Sequence, residues 1–337
     1  MKNSLTYLTR RCPRSCEYCD LRDAKDIGPE LKLGQWIGAF QILKDLNIDF
    51  NLILGNETWL LGNDLLHIMN HNEVPYALYT TCPEPTFSKY RDIFFGSGTI
   101  DNLSCGIDYP PIHFVRDDSW MKSVAAMLGF NWVKEHYPNV DCQGTITVHK
   151  KNYMYVPELV NLLSDRGVFV GINFIHWNKD GNYDFFPKKE VIEDLLFTKE
   201  DYPKVKEVLV HVLKNPRLLQ NPEFIQERVE MLANMGWHCG GDPYGGPTID
   251  ADGQLRCCGY RRGTRTPKFS IFDLPKHLDE WREAVQQDAF ECPGCAWSYP
   301  WMYWYWETHD IELGKQVFVK HAGKHIDESK WSKRTIE

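Results

Sequence analysis

Apolar runs of strand length alternate with segments of helical period from residue 5 to about residue 180, and this alternation constrains the fold most. A chain patterned in this way forms a parallel sheet wrapped by helices. Six runs rich in β-branched or aromatic residues are predicted strands: 5–9, 50–54, 76–80, 102–107, 144–148 and 168–175. The predicted fold class is therefore α/β, as a partial (β/α)6, TIM-like barrel.

Helical spacing of apolar residues fills the gaps between these runs. Residues 156–163 carry apolar side chains at i, i+3, i+4 and i+7, and Gly167 follows as a helix-ending residue. The spacing recurs over 205–212, and a further helix is predicted over 224–235. Beyond residue 236 the pattern breaks into Gly-, Pro- and Cys-rich sequence, so we expect a domain boundary there.

The charge balance excludes a strongly basic protein. Lys and Arg number 38 against 46 Asp and Glu, a net charge of −8, so no global positive field holds a nucleic-acid backbone or an anionic membrane. No apolar stretch has the length of a membrane helix, and residues 1–5 lack a signal-peptide core. We expect a cytoplasmic protein without membrane contact.

Cysteine usage points to metal. Eleven cysteines are many for a reducing compartment, and their odd number argues against a disulfide framework. Cys12, Cys16 and Cys19 spell CxxxCxxC directly after the first predicted strand, which places three thiolates on one loop. Three thiolates leave one iron of a four-iron cluster without a protein ligand. The alternative is a zinc site completed by a distant fourth ligand.

The chain resembles the radical S-adenosylmethionine (SAM) superfamily, whose CxxxCxxC signature follows the first strand with an aromatic residue before the last cysteine. Tyr18 occupies that place, and 55–58 stands where the family has a Gly-Gly-Glu-Pro-like turn. The resemblance implies cofactor-binding residues in the cysteine motif, after the second strand, around the end of the fourth and after the fifth: Tyr18, Gly55, Asn56, Glu57, Thr58, Ser104, Asp108, Thr147 and Asn152. Asn56 and Thr58 depart from the commonest form of the turn.

By this resemblance, Cys12, Cys16 and Cys19 bind a 4Fe-4S cluster whose open iron is chelated by SAM. One electron then cleaves a carbon–sulfur bond of the sulfonium and yields a 5′-deoxyadenosyl radical, which abstracts hydrogen from a substrate carbon. The resemblance implies a reducing partner such as flavodoxin or ferredoxin. The protein's own task is then to bind and orient the substrate and to exclude water, so no catalytic acid or base is assigned.

A second cysteine group resembles the SPASM/twitch extension of this superfamily, which reads C, a gap, G-x4-C, a long gap and CxxC. Gly253 falls at the expected glycine. The resemblance implies one auxiliary 4Fe-4S cluster, with either member of the adjacent pair as a ligand: Cys239, Cys257, Cys258, Cys292 and Cys295. Structural zinc is again the alternative. The predicted domains are a barrel (1–236), a twitch-type auxiliary-cluster domain (237–310) and a C-terminal tail (311–337).

Several other residues are candidates of lesser weight. Tyr109, His176 and Trp177 follow predicted strands and are candidate substrate-binding residues. The arginines around Cys257, among them Arg256 and Arg261, are expected to be solvated. Residues 297–306 hold an aromatic tract at helical spacing, which predicts a packed helix. Three scattered cysteines are expected to be core thiols: Cys82, Cys105 and Cys142.

Three functions follow from these patterns. The first is a radical SAM enzyme, an oxidoreductase that modifies a peptide side chain or a small polar metabolite. The second is a radical isomerase that rearranges a nucleobase or an amino-acid-modified nucleotide, for which a nucleotide or nucleic acid is the partner. The third is a non-catalytic binding protein stapled by two zinc ions.

Overall fold

The computed structural model of the chain describes residues 3–19, 29–54, 56–181, 186–212, 214–219, 222–238, 245–259, 261 and 268–296. Several sequence predictions lie outside the described residues: Gly55, Cys239 and the aromatic tract 297–306. No helix in the described ranges combines the length and the apolar character needed to cross a membrane.

The described strands form one eight-stranded sheet in the order β6-β5-β4-β3-β2-β1-β7-β8. The strands are β1 Asn3–Tyr7, β2 Phe50–Leu54, β3 Tyr76–Thr80, β4 Asn102–Gly106, β5 Asp141–Val148, β6 Phe169–Phe174, β7 Gly245–Ile249 and β8 Leu255–Arg256. All neighbours pair in parallel except β7 and β8, which are antiparallel. The α/β fold predicted from the sequence is confirmed.

Helices connect the parallel strands. They are α1 Leu33–Asp45, α2 Asn63–Asn70, α3 Thr86–Gly96, α4 Asp118–His136, α5 Val156–Ser164, α6 Tyr202–Val210, α7 Pro222–Ala233 and α8 Leu278–Phe290. The predicted helices over 156–163, 205–212 and 224–235 correspond to α5, α6 and α7. Gly167 lies just past α5 at φ 74°, a left-handed conformation that glycine adopts without steric cost.

The first strand ends earlier than the sequence predicts. We expected 5–9, whereas β1 ends at Tyr7; beyond it the Leu8 amide donates to the Leu54 carbonyl (3.0 Å) and the Thr9 carbonyl accepts from the Asn56 amide (3.1 Å). Four residues therefore separate β1 from Cys12, so the expectation that Cys12 follows the strand immediately is wrong. Thr9 also donates its hydroxyl to Glu30 over 2.6 Å.

Two strands were missed by the sequence analysis. β7 reads Gly-Gly-Pro-Thr-Ile and lacks the apolar run of a strand, yet it pairs in parallel with β1, and β8 adds to it. Gly246 is required there, since a Cβ atom would lie 2.5 Å from the Asn3 carbonyl oxygen. The sheet thus continues past residue 236, and the division of the chain into domains there stays a prediction.

Burial on both faces of the sheet explains the predictability of its central strands. All five residues of β1 are buried, as are four of the five in β2. Polar side chains occupy part of this interior: Thr6 donates its hydroxyl to the Asn51 amide oxygen over 3.0 Å. The three scattered cysteines are buried to 1% exposure or less, which confirms them as core thiols: Cys82, Cys105 and Cys142.

Candidate cofactor site at the carboxyl ends of the strands

The three N-terminal cysteines lie on one loop, residues 8–19, which we call the cysteine loop. Cys16 is buried, whereas Cys12 and Cys19 are half-buried. The Cys19 amide donates to the Cys16 carbonyl over 3.0 Å, so the second half of the motif is a tight turn. This loop extends from the carboxyl end of β1, the end of a parallel sheet where binding sites form.

Burial raises the pKa of two of these thiols. It raises the pKa of Cys12, and it raises the pKa of Cys16 to about 11, while the Lys122 ammonium opposes both shifts. A buried thiol of this kind becomes a thiolate when a metal replaces its proton. The soft donors of the cysteine loop therefore suit iron or zinc.

The two metals require different arrangements of donors. Among the described residues, no three His, Cys, Asp or Glu side chains converge closely enough to hold a single metal ion. One tetrahedral zinc ion needs its thiolates all within about 2.3 Å of the same centre. A cluster instead takes each cysteine on a different iron. Cys12, Cys16 and Cys19 lie on one loop, as either kind of site would require.

Tyr18 fastens the cysteine loop to the barrel. Its hydroxyl donates to Oδ2 of Asp108 over 2.5 Å, and the Lys122 ammonium on α4 donates both to that hydroxyl and to Asp108 Oδ2 (2.5 Å). Burial raises the pKa of Tyr18, and the Asp108 carboxylate raises it further, so the phenol stays neutral and can donate. The aromatic position of the motif is thereby an anchor between Cys16 and Cys19.

Asp108 is the centre of a buried network at the ends of β4 and β5. The side chain is fully buried, and its Oδ1 accepts from the Thr147 amide at 3.0 Å. The Asn152 side chain donates to the carbonyls of Asp108 (3.0 Å) and Thr147 (2.8 Å), and it accepts from the His149 amide at 2.8 Å. Asp108, Thr147 and Asn152, predicted as cofactor contacts, are brought together but are already bonded to one another.

The turn after β2 is organised by Glu57. This fully buried carboxylate accepts from the Thr80 hydroxyl (2.6 Å), the Thr81 amide (2.6 Å) and hydroxyl (2.5 Å), and the Trp59 amide (3.0 Å). Burial raises its pKa, while these donors counter the shift. All its oxygen lone pairs face protein donors, so Glu57 joins the β2 and β3 loops.

Asn56 and Thr58, on either side of Glu57, also join this turn to neighbouring segments. The Asn56 amide donates to the Thr9 carbonyl (3.1 Å), and its side chain donates to the Arg10 carbonyl. Thr58 donates its hydroxyl to the Tyr79 carbonyl over 2.9 Å. Ser104 lies inside β4, buried and in register with Tyr79. Asn56 therefore holds the first half of the cysteine loop, as Tyr18 holds the second.

An Arg–Asp–Arg group ties the cysteine loop to β7. Asp250, directly after β7, accepts from Arg10 Nε (2.7 Å) and from Arg256 Nε (2.6 Å). Glu30 accepts from the Arg10 amide at 2.8 Å and pairs with Arg11 at 3.0 Å. Arg256 is 2% exposed, so the expectation of a solvated arginine is wrong for it. Arg261, 3% exposed and paired with Asp180, differs from the expectation in the same way.

The C-terminal CxxC lies at the carboxyl end of β6. Nε2 of His176, two residues after the strand, is 3.5 Å from Sγ of Cys295, and the Lys179 ammonium bridges the carbonyls of Met235 (2.6 Å) and Pro293 (3.2 Å). Burial lowers the pKa of His176 to about 3, so its ring is neutral. The structure thus joins one predicted substrate residue to a predicted cluster ligand.

The adjacent cysteines Cys257 and Cys258 lie in different environments. Cys257 is 3% exposed, and its thiol faces the Val285 carbonyl of α8 at 3.9 Å. Cys258 is half-buried.

The CxxC turn requires glycine at position 294. Gly294 has φ 117°, and a Cβ atom there would lie 2.2 Å from the Met235 carbonyl oxygen.

A cavity of about 630 Å³ borders the cysteine loop. Its lining includes Ser15 and Glu17 of the loop and Tyr109, the predicted substrate residue after β4. Trp177, the third such candidate, is buried elsewhere, with its amide 3.1 Å from the Met235 sulfur. The candidate substrate residues therefore divide between two places, one near each cysteine group.

Comparison with solved structures identifies the fold. It is similar to that of SuiB from Streptococcus suis. Against SuiB bound to S-adenosylmethionine the TM-score is 0.57 at 14% identity, over 84% of this chain and 67% of SuiB. Against SuiB bound to precursor peptide SuiA the TM-score is 0.57 at 15% identity, over 84% and 66%. No protein-family model and no curated protein sequence matches the chain.

Sequence reasoning missed two charged residues of this site. Lys122 lies in α4 and Asp250 after β7, and neither belongs to a motif. A single lysine in a helix and an aspartate beside a turn give no local signal of a buried ion pair.

Proposed function

We propose that this chain is a radical SAM enzyme that reductively cleaves S-adenosylmethionine and abstracts hydrogen from a substrate carbon. The observation that carries the proposal is the CxxxCxxC loop at the carboxyl end of a parallel strand, with its aromatic residue anchored among the neighbouring strand ends. The fold shared with SuiB, which was crystallised with SAM, supports it.

In this proposal Cys12, Cys16 and Cys19 hold a 4Fe-4S cluster. When bound, the cluster and SAM supply one electron and a 5′-deoxyadenosyl radical. The chain's own residues hold the cysteine loop from both sides, through Asn56 at Arg10 and through Tyr18 at Asp108. A loop fixed in this way keeps the cofactor at one position relative to the substrate, which is the protein's main contribution to radical chemistry.

The predicted SAM-contact residues act, in this proposal, mainly by shaping the site. Glu57, Asp108 and Asn152 are fully buried and bonded to protein donors or acceptors. Breaking such bonds to reach a ligand would leave buried polar groups unpaired. They therefore order the loops after β2, β4 and β5. In this proposal the other polar groups of those loops contact SAM.

The C-terminal cysteines form a second centre in the proposal, an auxiliary 4Fe-4S cluster held by Cys239, Cys258, Cys292 and Cys295. Cys258 is preferred over Cys257 because the Cys257 thiol is buried against α8. Four protein thiolates cap every iron, so electron transfer or structural support is the role of this cluster.

The proposed reaction is oxidative modification of a peptide side chain. The support is the fold shared with SuiB in its structure with a precursor peptide, together with an open cavity beside the cysteine loop. Transfer of deuterium from a labelled candidate peptide into 5′-deoxyadenosine would identify both the substrate and the abstracted hydrogen. Absence of transfer from peptides, with transfer from a nucleotide, would favour the isomerase instead.

Anaerobic reconstitution with iron and sulfide tests the enzyme class. We expect iron for two clusters and 5′-deoxyadenosine from SAM after addition of dithionite. Replacing Cys12, Cys16 and Cys19 by Ala should abolish SAM cleavage and leave the iron of one cluster. Cys142→Ala is the matched control, since that thiol is buried in the core. It should keep SAM cleavage and the iron of both clusters. Zinc without iron or sulfide would identify a zinc-binding protein.

A further inference from the structure

Lys122 is a buried cation beneath the cysteine loop. It extends from α4 with 7% exposure, and its ammonium bonds both to Tyr18 and to Asp108. Gly106 in β4 makes room for it, because a Cβ atom at that position would lie 3.0 Å from the ammonium nitrogen. The fold thus excludes a side chain from β4 exactly where the lysine passes.

The Lys122 ammonium lies against the cysteine loop. The ammonium contacts Tyr18, which stands between two ligands of the motif, and it lies 5.2 Å from the centre of that ring. The Asp108 carboxylate bonds to the same hydroxyl through Oδ2, while its Oδ1 accepts from the Thr147 amide. The pair is neutral as a whole, but its two charges occupy different positions relative to the loop.

We propose that Lys122 raises the reduction potential of the cluster held by Cys12, Cys16 and Cys19, an inference that rests on the function proposed above. Reduction adds one negative charge to a centre already surrounded by thiolates. A nearby buried cation stabilises that added charge, since low dielectric strengthens the interaction. The cluster would therefore accept its electron from a weaker reductant than it would without the lysine.

Opposite substitutions within the pair separate this role from a structural one. Lys122→Met removes the cation and should shift the potential to a more negative value. Asp108→Asn leaves the cation uncompensated and should shift the potential to a less negative value. The double variant Lys122→Met/Asp108→Asn removes both charges and should lie between wild type and Lys122→Met. Structural damage alone would move both single variants in the same direction.

The measurement is a potentiometric titration of the reconstituted protein with dithionite, followed by electron paramagnetic resonance in the absence of SAM. Adding SAM to parallel samples identifies the N-terminal cluster as the one whose signal changes. Lys122→Arg retains the charge and should remain near the wild-type potential. Lys134→Met is the matched control, because Lys134 lies at the far end of the same helix, where it donates to the Val140 carbonyl.

The results separate the two proposals. A SAM-responsive signal that shifts in opposite directions in the two single variants supports the role of Lys122. A responsive signal whose potential is unchanged in Lys122→Met, or higher, overturns that role and leaves the enzyme class intact. If Lys122→Met binds no iron, the double variant and Asp108→Asn decide by the same ordering. Absence of any SAM-responsive signal in the wild type overturns both proposals.

Discussion

The Arg10 guanidinium donates through Nε to Oδ1 of Asp250 over 2.7 Å, and so joins the cysteine loop to the end of β7. Arg256 binds the other oxygen of the same carboxylate at 2.6 Å. The side chain of Asp250 is 4% exposed in this arrangement, so one carboxylate balances two cations that have little access to water. The position of Cys12, two residues beyond Arg10, thereby depends on a segment near the opposite end of the chain.

Asp250→Asn should destabilise the protein and loosen the cysteine loop. It leaves the buried Arg256 and the half-buried Arg10 without their carboxylate, a change that costs about 3–5 kcal/mol of unfolding free energy. Urea denaturation measures the loss, and hydrogen exchange over residues 8–19 measures the loosening. Asp252→Asn is the control, since that aspartate lies in the same turn and accepts only the Gln254 amide among the contacts of the described residues. Equal stability of both variants would contradict the prediction.

Glu57→Gln should weaken the junction between the β2 and β3 loops. The amide group of glutamine places a donor where Glu57 accepts backbone and hydroxyl protons, so buried donors lose their acceptor. We expect a loss of about 1–3 kcal/mol in unfolding free energy, measured by urea denaturation. Glu84→Gln offers a comparison, because the exposed Glu84 also accepts from a hydroxyl, that of Ser88 at 2.7 Å. A larger effect at Glu84 would be inconsistent with this assignment.

Acid should destabilise the fold through His149. Burial lowers the pKa of this ring to about 4, so the folded state binds fewer protons than the unfolded state as the pH falls from about 6.5 to 4. Stability from this group is complete above that range and is lost within it, by about 2 kcal/mol at pH 5. His149→Gln should reduce the loss between pH 7 and pH 5, measured by urea midpoints. An exposed control, His211→Gln, should leave the wild-type loss unchanged.

Cys258→Ala and Cys257→Ala should differ in iron content. Cys258→Ala should lose the iron of one cluster after reconstitution, since the half-buried thiol is the proposed ligand. Cys257→Ala should keep it, because that thiol is buried against the Val285 carbonyl. Iron and sulfide analysis of the two purified variants provides the readout. Loss of iron from Cys257→Ala alone would reverse the assignment.

The sequence by itself determined the central sheet and the content of the cysteine loop. Strands β2 and β3 have the predicted bounds, because a strand buried on both faces is a continuous apolar run that is visible locally. The spacing of Cys12, Cys16 and Cys19 is covalent, so their presence on one loop needs no tertiary information. The prediction of Tyr18 as part of the site came from the family resemblance, in which an aromatic residue precedes the last cysteine.

Only the tertiary structure decided what holds that loop. Lys122 meets Tyr18 across 104 residues of chain, and Asp250 meets Arg10 across 240. Strand β7 exists because β1 offers it hydrogen-bonding partners, not because its glycines and proline favour extension. Burial converts ordinary charged residues into ion pairs with fixed partners, and desolvation depends on every element packed around them. Such information is distributed over the whole fold, so no local pattern in the sequence contains it.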